Sequence, residues 1–218
     1  MSDEIYGVVG LGRFGLAVAK TLLEGGKRII ALDRDPERVK ELARYTDDAF
    51  VIPQITKEAL MEAGIDHCST VIVGIGRSVE SSLLVALNAI ELKVGRVIAK
   101  ANSDEHARIL QMIGAEVVFP EVDMGTRLAK SLRNHMSIDF LSLADDFSIV
   151  QAPVPEKFAG KSVVDADLRK RYGVNIIARL SSGHVDSDIK PGTILGYDDI
   201  LVISGKDKNI AAFVDARA

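Results

Sequence analysis

One hexapeptide restricts what this chain can fold into more than any other stretch. Gly10-Leu11-Gly12-Arg13-Phe14-Gly15 follows the apolar run Ile5-Tyr6-Gly7-Val8-Val9 and precedes the largely apolar Leu16-Ala17-Val18-Ala19-Lys20-Thr21-Leu22-Leu23. The pattern predicts a strand that feeds a helix through a G-x-G-x-x-G turn. In such a turn Gly10 takes the tight bend, Gly12 leaves the backbone open to a pyrophosphate, and Gly15 lets the helix pack closely on the strand. The first N–H groups and the positive dipole end of the helix then hold the anion. A second strand, Arg28-Ile29-Ile30-Ala31-Leu32, ends at Asp33, where a carboxylate can accept hydrogen bonds from both hydroxyls of a ribose. The glycine pattern alone is weak. With a strand before it, a helix after it and an acid at the next strand's tip, it points to nucleotide binding. Arg13 reads two ways, as charge compensation for a nucleotide di- or triphosphate or as a solvated arginine at a helix start.

Composition removes other classes of function. The 218 residues are 47% hydrophobic, enough for one domain of ordinary size and a smaller one. Lys and Arg number 27 against 31 Asp and Glu, and 27 − 31 = −4, so no global basic field exists for nucleic acid or anionic lipid. Aromatics are only 5% and tryptophan is absent, which argues against a base-stacking surface. Cys68 is the single cysteine, so neither a disulfide framework nor a thiolate metal site is available. No apolar signal run and no stretch of membrane-span length is present, and cytoplasmic residence is the expectation.

Along the chain, Pro36 opens a second helix, a short strand lies around Ala49–Ile52, and another helix near Lys57–Glu62. Thr70-Val71-Ile72-Val73 reads as a strand running into Gly74-Ile75-Gly76, with a helix from about Ser78 to Leu92. Glycine at this strand tip either leaves room for an adenine or ribose or makes a plain strand-to-helix turn, and Arg77 and Ser78 lie at the same edge. The strand Arg96–Lys100, a helix from Ser103 to Met112 and a last strand Glu116–Phe119 complete a mostly parallel sheet covered on both faces. From Glu121 to about Met136 a helix carries apolar side chains at three- and four-residue spacing, which either crosses to another subunit or the second domain or packs at home.

Beyond Ser137 the pattern changes. Phe147 to Pro155 alternates like an edge strand broken by prolines, and a single short helix around Val164–Arg171 follows. Strands are expected at Val174–Leu180, after the turn Pro191-Gly192 at Thr193–Leu195, and at Asp199–Gly205 before a terminal helix. This makes a small α+β lobe. Gly160-Lys161-Ser162 resembles the end of a P-loop, but Pro155 stands where its first glycine is required. His67, His106, His135 and His184 lack ligand spacing, and surface or core positions are expected for them.

These residues resemble a family. Val9 to Gly15, Ala31-Leu32-Asp33, Val71 to Gly76, Ala99-Lys100-Ala101, Ile113-Gly114-Ala115, Pro120-Glu121-Val122-Asp123-Met124-Gly125 and the tail from Pro191 to Gly205 are similar to the cytosolic regulatory subunits of Ktr and Trk potassium-uptake systems. These are KtrA-like proteins with an RCK, or KTN, domain. The resemblance implies a Rossmann-type nucleotide-binding domain over residues 1–120, a crossover and dimerisation helix with linker over 121–138, and a C-terminal ligand and dimerisation lobe over 139–218. It also implies a non-enzymatic gate, a homodimer assembling into an octameric ring beneath a membrane-embedded potassium channel or transporter at the inner face of the cell membrane. ATP, ADP or NAD(H) would change the shape of the ring.

By that resemblance the nucleotide contacts are the loop Gly10-Leu11-Gly12-Arg13-Phe14-Gly15, the pair Asp33-Arg34, the stretch Gly74-Ile75-Gly76-Arg77, Lys100 and Glu121. Arg13 would reach the terminal phosphates, Asp33 the adenosine ribose, and Glu121 would help place Mg2+ or Ca2+ between two nucleotides. A strand-end carboxylate near a triphosphate suits a hard cation, although an acid in a helix's first turn is favoured by the dipole regardless. In some members the C-terminal lobe binds cyclic di-AMP, and Asn175 and Ile176 stand at matching positions. Where the family carries Gly-Asp before the last strand, this chain has Tyr197-Asp198-Asp199.

Two other classes compete. A small NAD(P)-dependent oxidoreductase would use the same first strands but needs a proton donor beside the nicotinamide, and neither Tyr-x-x-x-Lys nor a histidine with a neighbouring carboxylate is found near the sheet's edge. A nucleotide-responsive transcription factor would need a helix-turn-helix and a basic patch, and the sequence shows neither.

Overall fold

The computed structural model describes residues 4–133, 140–144 and 146–216. The chain divides into two compact units, Met1–Pro120 and Glu121–Ala218. In the first, β1 (Ile5–Val9), β2 (Arg28–Asp33), β3 (Ala49–Val51), β4 (Thr70–Val73), β5 (Arg96–Lys100) and β6 (Glu116–Val118) form one sheet in the order β3-β2-β1-β4-β5-β6. Every pairing is parallel, with Val9 opposite Leu32 on one side and Val73 on the other. The strand order reverses direction between β1 and β4, which is where open α/β sheets leave a crevice at their carboxyl ends.

The connecting helices are α1 (Arg13–Glu24), α2 (Pro36–Leu42), α3 (Lys57–Glu62), α4 (Val79–Glu91) and α5 (Asp104–Met112). Because side chains alternate along a strand, neighbouring residues feed opposite layers. Val8, Ala31 and Ile72 pack with Ala19 of α1 and Val39 and Leu42 of α2. Val9, Leu32, Val71 and Val73 pack with Leu60 of α3, Val85, Ala86 and Ala89 of α4, and Ala107 and Leu110 of α5. The sheet is therefore covered on both faces, and its apolar runs are explained by burial from two sides.

The second unit begins with α6, Pro120–Arg133, whose Val122, Met124, Leu128 and Leu132 are exposed. The end of the expected crossover segment, 134–138, lies outside the described residues, as do His135 and Met136. The sheet of this unit is antiparallel, built from β7 (Phe140–Ala144), β8 (Phe147–Pro153), β9 (Asn175–Ser181), β10 (His184–Asp186) and β11 (Ile200–Lys206) in the order β10-β9-β11-β8-β7. Helices α7 (Val163–Ala166), α8 (Leu168–Tyr172) and α9 (Asp207–Asp215) accompany it, around a core in which Phe158, Tyr172 and Phe213 pack ring against ring.

Several expectations change here. β8 is an interior strand paired to β7 and β11, not an edge; Pro153 is tolerated because it stands at the last ladder position, opposite Ile200. β7 was not expected at all. The single helix near Val164–Arg171 is two, divided at Asp167, whose φ of 45° is incompatible with a continuing right-handed helix. Thr193–Leu195 is no strand, since only one isolated bridge, Ser162 to Ile194, forms there.

Candidate functional site

The site is built at the carboxyl ends of β1, β2, β4 and β5. Gly10 has φ of 95° and donates its N–H to Leu32 O at 2.7 Å, so the chain turns sharply as it leaves β1. A methyl group on Gly15 would stand 2.0 Å from Gly10 O, and one on Gly74 would stand 2.6 Å from the same oxygen and 3.2 Å from Gly15 Cα. The three glycines thus lock together the end of β1, the start of α1 and the end of β4. The space at Gly74 is taken by this packing and does not remain as room for an adenine or ribose. Ile75 closes against Gly10, at 2.8 Å from where a methyl would be.

Gly12 is different, because a methyl placed on it would meet nothing nearer than Arg38 Nη1 at 3.9 Å. It is also the N-cap of α1, with no side-chain hydrogen bond to the helix and no acid in the first turn. The other helices of this unit are capped by Asp35, Thr56, Ser78 and Ser103, each accepting from a first-turn N–H and each followed by an acid in the first turn. The donors at the head of α1 are left to water or to an incoming anion. Ser78, at the same edge as Arg77, accepts from Ser81 N at 3.1 Å through its hydroxyl oxygen.

Beside the turn, Asp33 is only 4% exposed. Its Oδ2 accepts from Leu11 N at 2.6 Å and its Oδ1 from Asp35 N at 2.8 Å, so the carboxylate ties the glycine turn to the tip of β2. The Leu11 N–H is therefore engaged within the protein. The Leu11 side chain is fully buried and Phe14 is half-buried against the same cluster.

Basic side chains rim this edge. Arg13 after β1, Arg34 after β2 and Arg77 after β4 are exposed, and Lys100 ends β5 half-buried. Lys100 Nζ lies 3.3 Å from the position of a methyl on Gly76, so that glycine makes way for the ammonium. Glu121 is exposed in the first turn of α6, and among the described residues no three His, Cys, Asp or Glu side chains cluster as metal ligands. Asn175, at the head of β9, is exposed and Ile176 half-buried.

Sequence reasoning missed three residues. Arg38 Nη1 lies 3.5 Å from Asp33 Oδ2 and its Nε 3.4 Å from Asp35 Oδ2. Asn102 Nδ2 donates to Gly76 O at 3.0 Å, and Asn102 Oδ1 stands 2.9 Å from His106 Nδ1, which must then carry the proton. His106 is buried, and burial holds its pKa below the ordinary value, keeping it neutral. The one available signal was the position of Arg38 in the first turn of a helix whose first residue, Pro36, follows the strand tip closely.

Comparison with known proteins bears on both units. The model of the TrkA-N domain matches residues 6–121 and that of the TrkA-C domain residues 148–216. Ktr system potassium uptake protein A of Bacillus subtilis is 34% identical over 214 residues, covering 98% of this chain and 96% of that protein. Its counterpart in Vibrio alginolyticus is 33% identical over 210 residues, covering 96% of each. Ktr system potassium uptake protein C of Bacillus subtilis is 32% identical over 209 residues, covering 95% of each. Among solved structures, the GsuK channel superposes with a TM-score of 0.54 at 25% identity over 99% of this chain. The chain spans only 39% of that channel's length. The TrkA-N domain of the inner membrane protein ybaL of Escherichia coli, at 20% identity and a TM-score of 0.54, covers 61% of this chain and shares its fold.

Proposed function

The chain belongs to the family built from a TrkA-N and a TrkA-C domain, and from that premise we propose that it is the nucleotide-binding regulatory subunit of a Ktr-type potassium uptake system. The observation that carries the nucleotide part is the uncapped head of α1 at Gly12, placed beside the buried Asp33. An adenosine nucleotide, ATP, ADP or NAD(H), lies there with its phosphates on the α1 donors and its ribose at Asp33. Arg13, exposed at the head of α1, meets the terminal phosphates, and Arg34, Arg77 and Lys100 add positive field.

Residues 1–120 are the nucleotide domain, the α6 segment through 138 a dimerisation crossover, and 139–218 a lobe for assembly and a second ligand such as cyclic di-AMP. The exposed apolar stripe of α6 supports self-association. A divalent cation at Glu121 takes its remaining ligands from phosphate oxygens and water, since one carboxylate cannot hold it. The protein is cytoplasmic, assembles as a ring of dimers, and acts on a membrane-embedded potassium-translocating subunit without catalysing a reaction.

A ligand moves such a ring only by binding its two shapes unequally. Isothermal titration with ATP, ADP and NADH, with and without a divalent cation, tests this reading. Saturable binding at the level of one nucleotide per chain is expected. No heat with any of the three, or steady hydride transfer from NADH to a substrate, overturns it.

A further inference from the structure

Resting on the nucleotide reading above, the geometry around Asp33 points to a second ribose-binding residue. An ionised carboxylate accepts about four hydrogen bonds. In Asp33 two acceptor positions are filled by the N–H groups of Leu11 and Asp35, and a third faces Arg38 Nη1 at 3.5 Å. A ribose that donates both hydroxyls to Asp33 needs two positions, so the guanidinium has to give up its own. The backbone donors cannot move without undoing the turn. Arg38 can, because its other hold among the described residues is an ion pair with Asp35 three residues earlier on an exposed helix start, which is worth little.

Its location also limits where it goes. The guanidinium is the nearest group to the open face of Gly12, so it lies across the gap between the glycine turn and the buried acid, where the ribose has to sit. A hydroxyl that donates to Asp33 keeps its oxygen lone pairs, and a cationic N–H already at this spot is the donor that meets them. We propose that Arg38 is the second half of a ribose clamp. On binding, its guanidinium passes from Asp33 to the oxygens of the adenosine 2′,3′-diol, while Asp33 accepts the two hydroxyl hydrogens. Arg13 is at the other end of the ligand, on the phosphates. In the empty protein Arg38 serves as the counter-ion that keeps a buried carboxylate compensated.

The test pairs a side chain with the ligand groups it is said to touch. The full chain and Arg38→Met, which keeps most of the aliphatic stem, are titrated with ATP and with 2′,3′-dideoxy-ATP, and circular dichroism melts verify that both remain folded. The variant is expected to lose about tenfold or more in affinity for ATP and less than twofold for the dideoxy analogue, as for a lost charge-assisted hydrogen bond. Arg38→Lys, which retains a cationic donor, should recover part of the preference for ATP over the analogue. Equal losses for both ligands would place Arg38 on the phosphates or in the fold, and an unchanged or improved ATP affinity would make it a mere plug; each outcome overturns the clamp. Failure of the unsubstituted chain to bind ATP would instead remove the nucleotide reading itself.

Discussion

Asp33 in the first unit and Asp199 in the second are buried to the same 4% exposure; Asp33 accepts two backbone hydrogen bonds and Asp199 accepts one from Gly196 N, and each faces one arginine at 3.5 Å. Asp33 takes Leu11 N at 2.6 Å and faces Arg38; Asp199 takes Gly196 N at 2.7 Å and faces Arg179. The arginines make the difference. Arg179 also donates to Ile194 O at 2.9 Å and reaches Asp186 at 3.4 Å, so it is tied on several sides. Among the described residues Arg38 is held by the carboxylates of Asp33 and Asp35, beside an open glycine. A buried acid is thus no sign of a binding site by itself. What marks one is whether its counter-ion is free to be exchanged for a ligand.

Three glycines from each unit differ in a similar way. Gly10, Gly15 and Gly74 are pressed against backbone, whereas Gly160, Gly183 and Gly192 face open space and serve the geometry of turns. Substitution breaks the comparison most strongly here. Gly15→Ala forces a methyl to 2.0 Å from Gly10 O and is expected to cost about 3 kcal/mol or more in urea unfolding. Gly183→Ala, with φ of 80° but no neighbour, should cost only about 1 kcal/mol. Similar losses for the two would mean that the glycine lock does not exist.

The two acids give the next test. Asp199→Ala should destabilise the chain by about 2 kcal/mol and leave nucleotide affinity unchanged, because it strands Gly196 N–H and Arg179. Asp33→Ala should cost about 2 kcal/mol of binding free energy for any adenosine nucleotide in calorimetric titration. Unchanged affinity would remove Asp33 from the site. A smaller effect is expected at the phosphate end, where Arg13→Ala should weaken ATP more than ADP by about 1 kcal/mol. Equal losses would show that Arg13 does not see the terminal phosphate.

The smallest separation is in pH. Burial lowers the His106 pKa, so the unfolded chain takes up the proton first as pH falls through its ordinary value of 6.5. Stability contributed by neutral His106 is present above that value and declines as pH drops below it. At Asp199 burial acts to raise the pKa, but hydrogen bonds from Ser181, Gly196 N–H and Arg179 outweigh it and hold the carboxyl below 3.8. That contribution is present above 3.8 and is lost only as pH falls further, through the lower folded value. Urea unfolding at pH 7.5 and 5.5 should therefore show a modest loss at the lower pH that His106→Gln abolishes and Asp199→Asn does not. A pH effect that survives His106→Gln would exclude this histidine as its source.

How far the fold was legible follows from how local each signal is. The glycine turn, the helix starts at Pro36 and Ser103 and the apolar runs of β1, β2 and β4 depend on contacts within a few residues, and the sequence shows them directly. β8 was misjudged because proline near a strand's end argues for an edge, while the partners that make it interior, β7 and β11, lie on either side in space and one of them far along the chain. The break at Asp167 depends on a left-handed backbone that its neighbours impose. At the site, Asp33 was legible from its place at a strand tip. Arg38, Asn102 and His106 were not, since an arginine on an exposed helix start and a buried histidine acquire meaning only from what the folded chain sets beside them.

By itself the sequence determined a doubly wound sheet with an uncapped helix head and an acid at the neighbouring strand tip, because alternation, glycine conformation and capping are short-range physics. Only the tertiary structure decided that Gly74 packs on the turn instead of making room, and that Leu11 N–H belongs to Asp33. It also decided which arginine stands 3.5 Å from each of two equally buried carboxylates. Those outcomes are competitions among groups distant in the chain for the same few ångströms and the same lone pairs, and such competitions are resolved only when the strands are assembled.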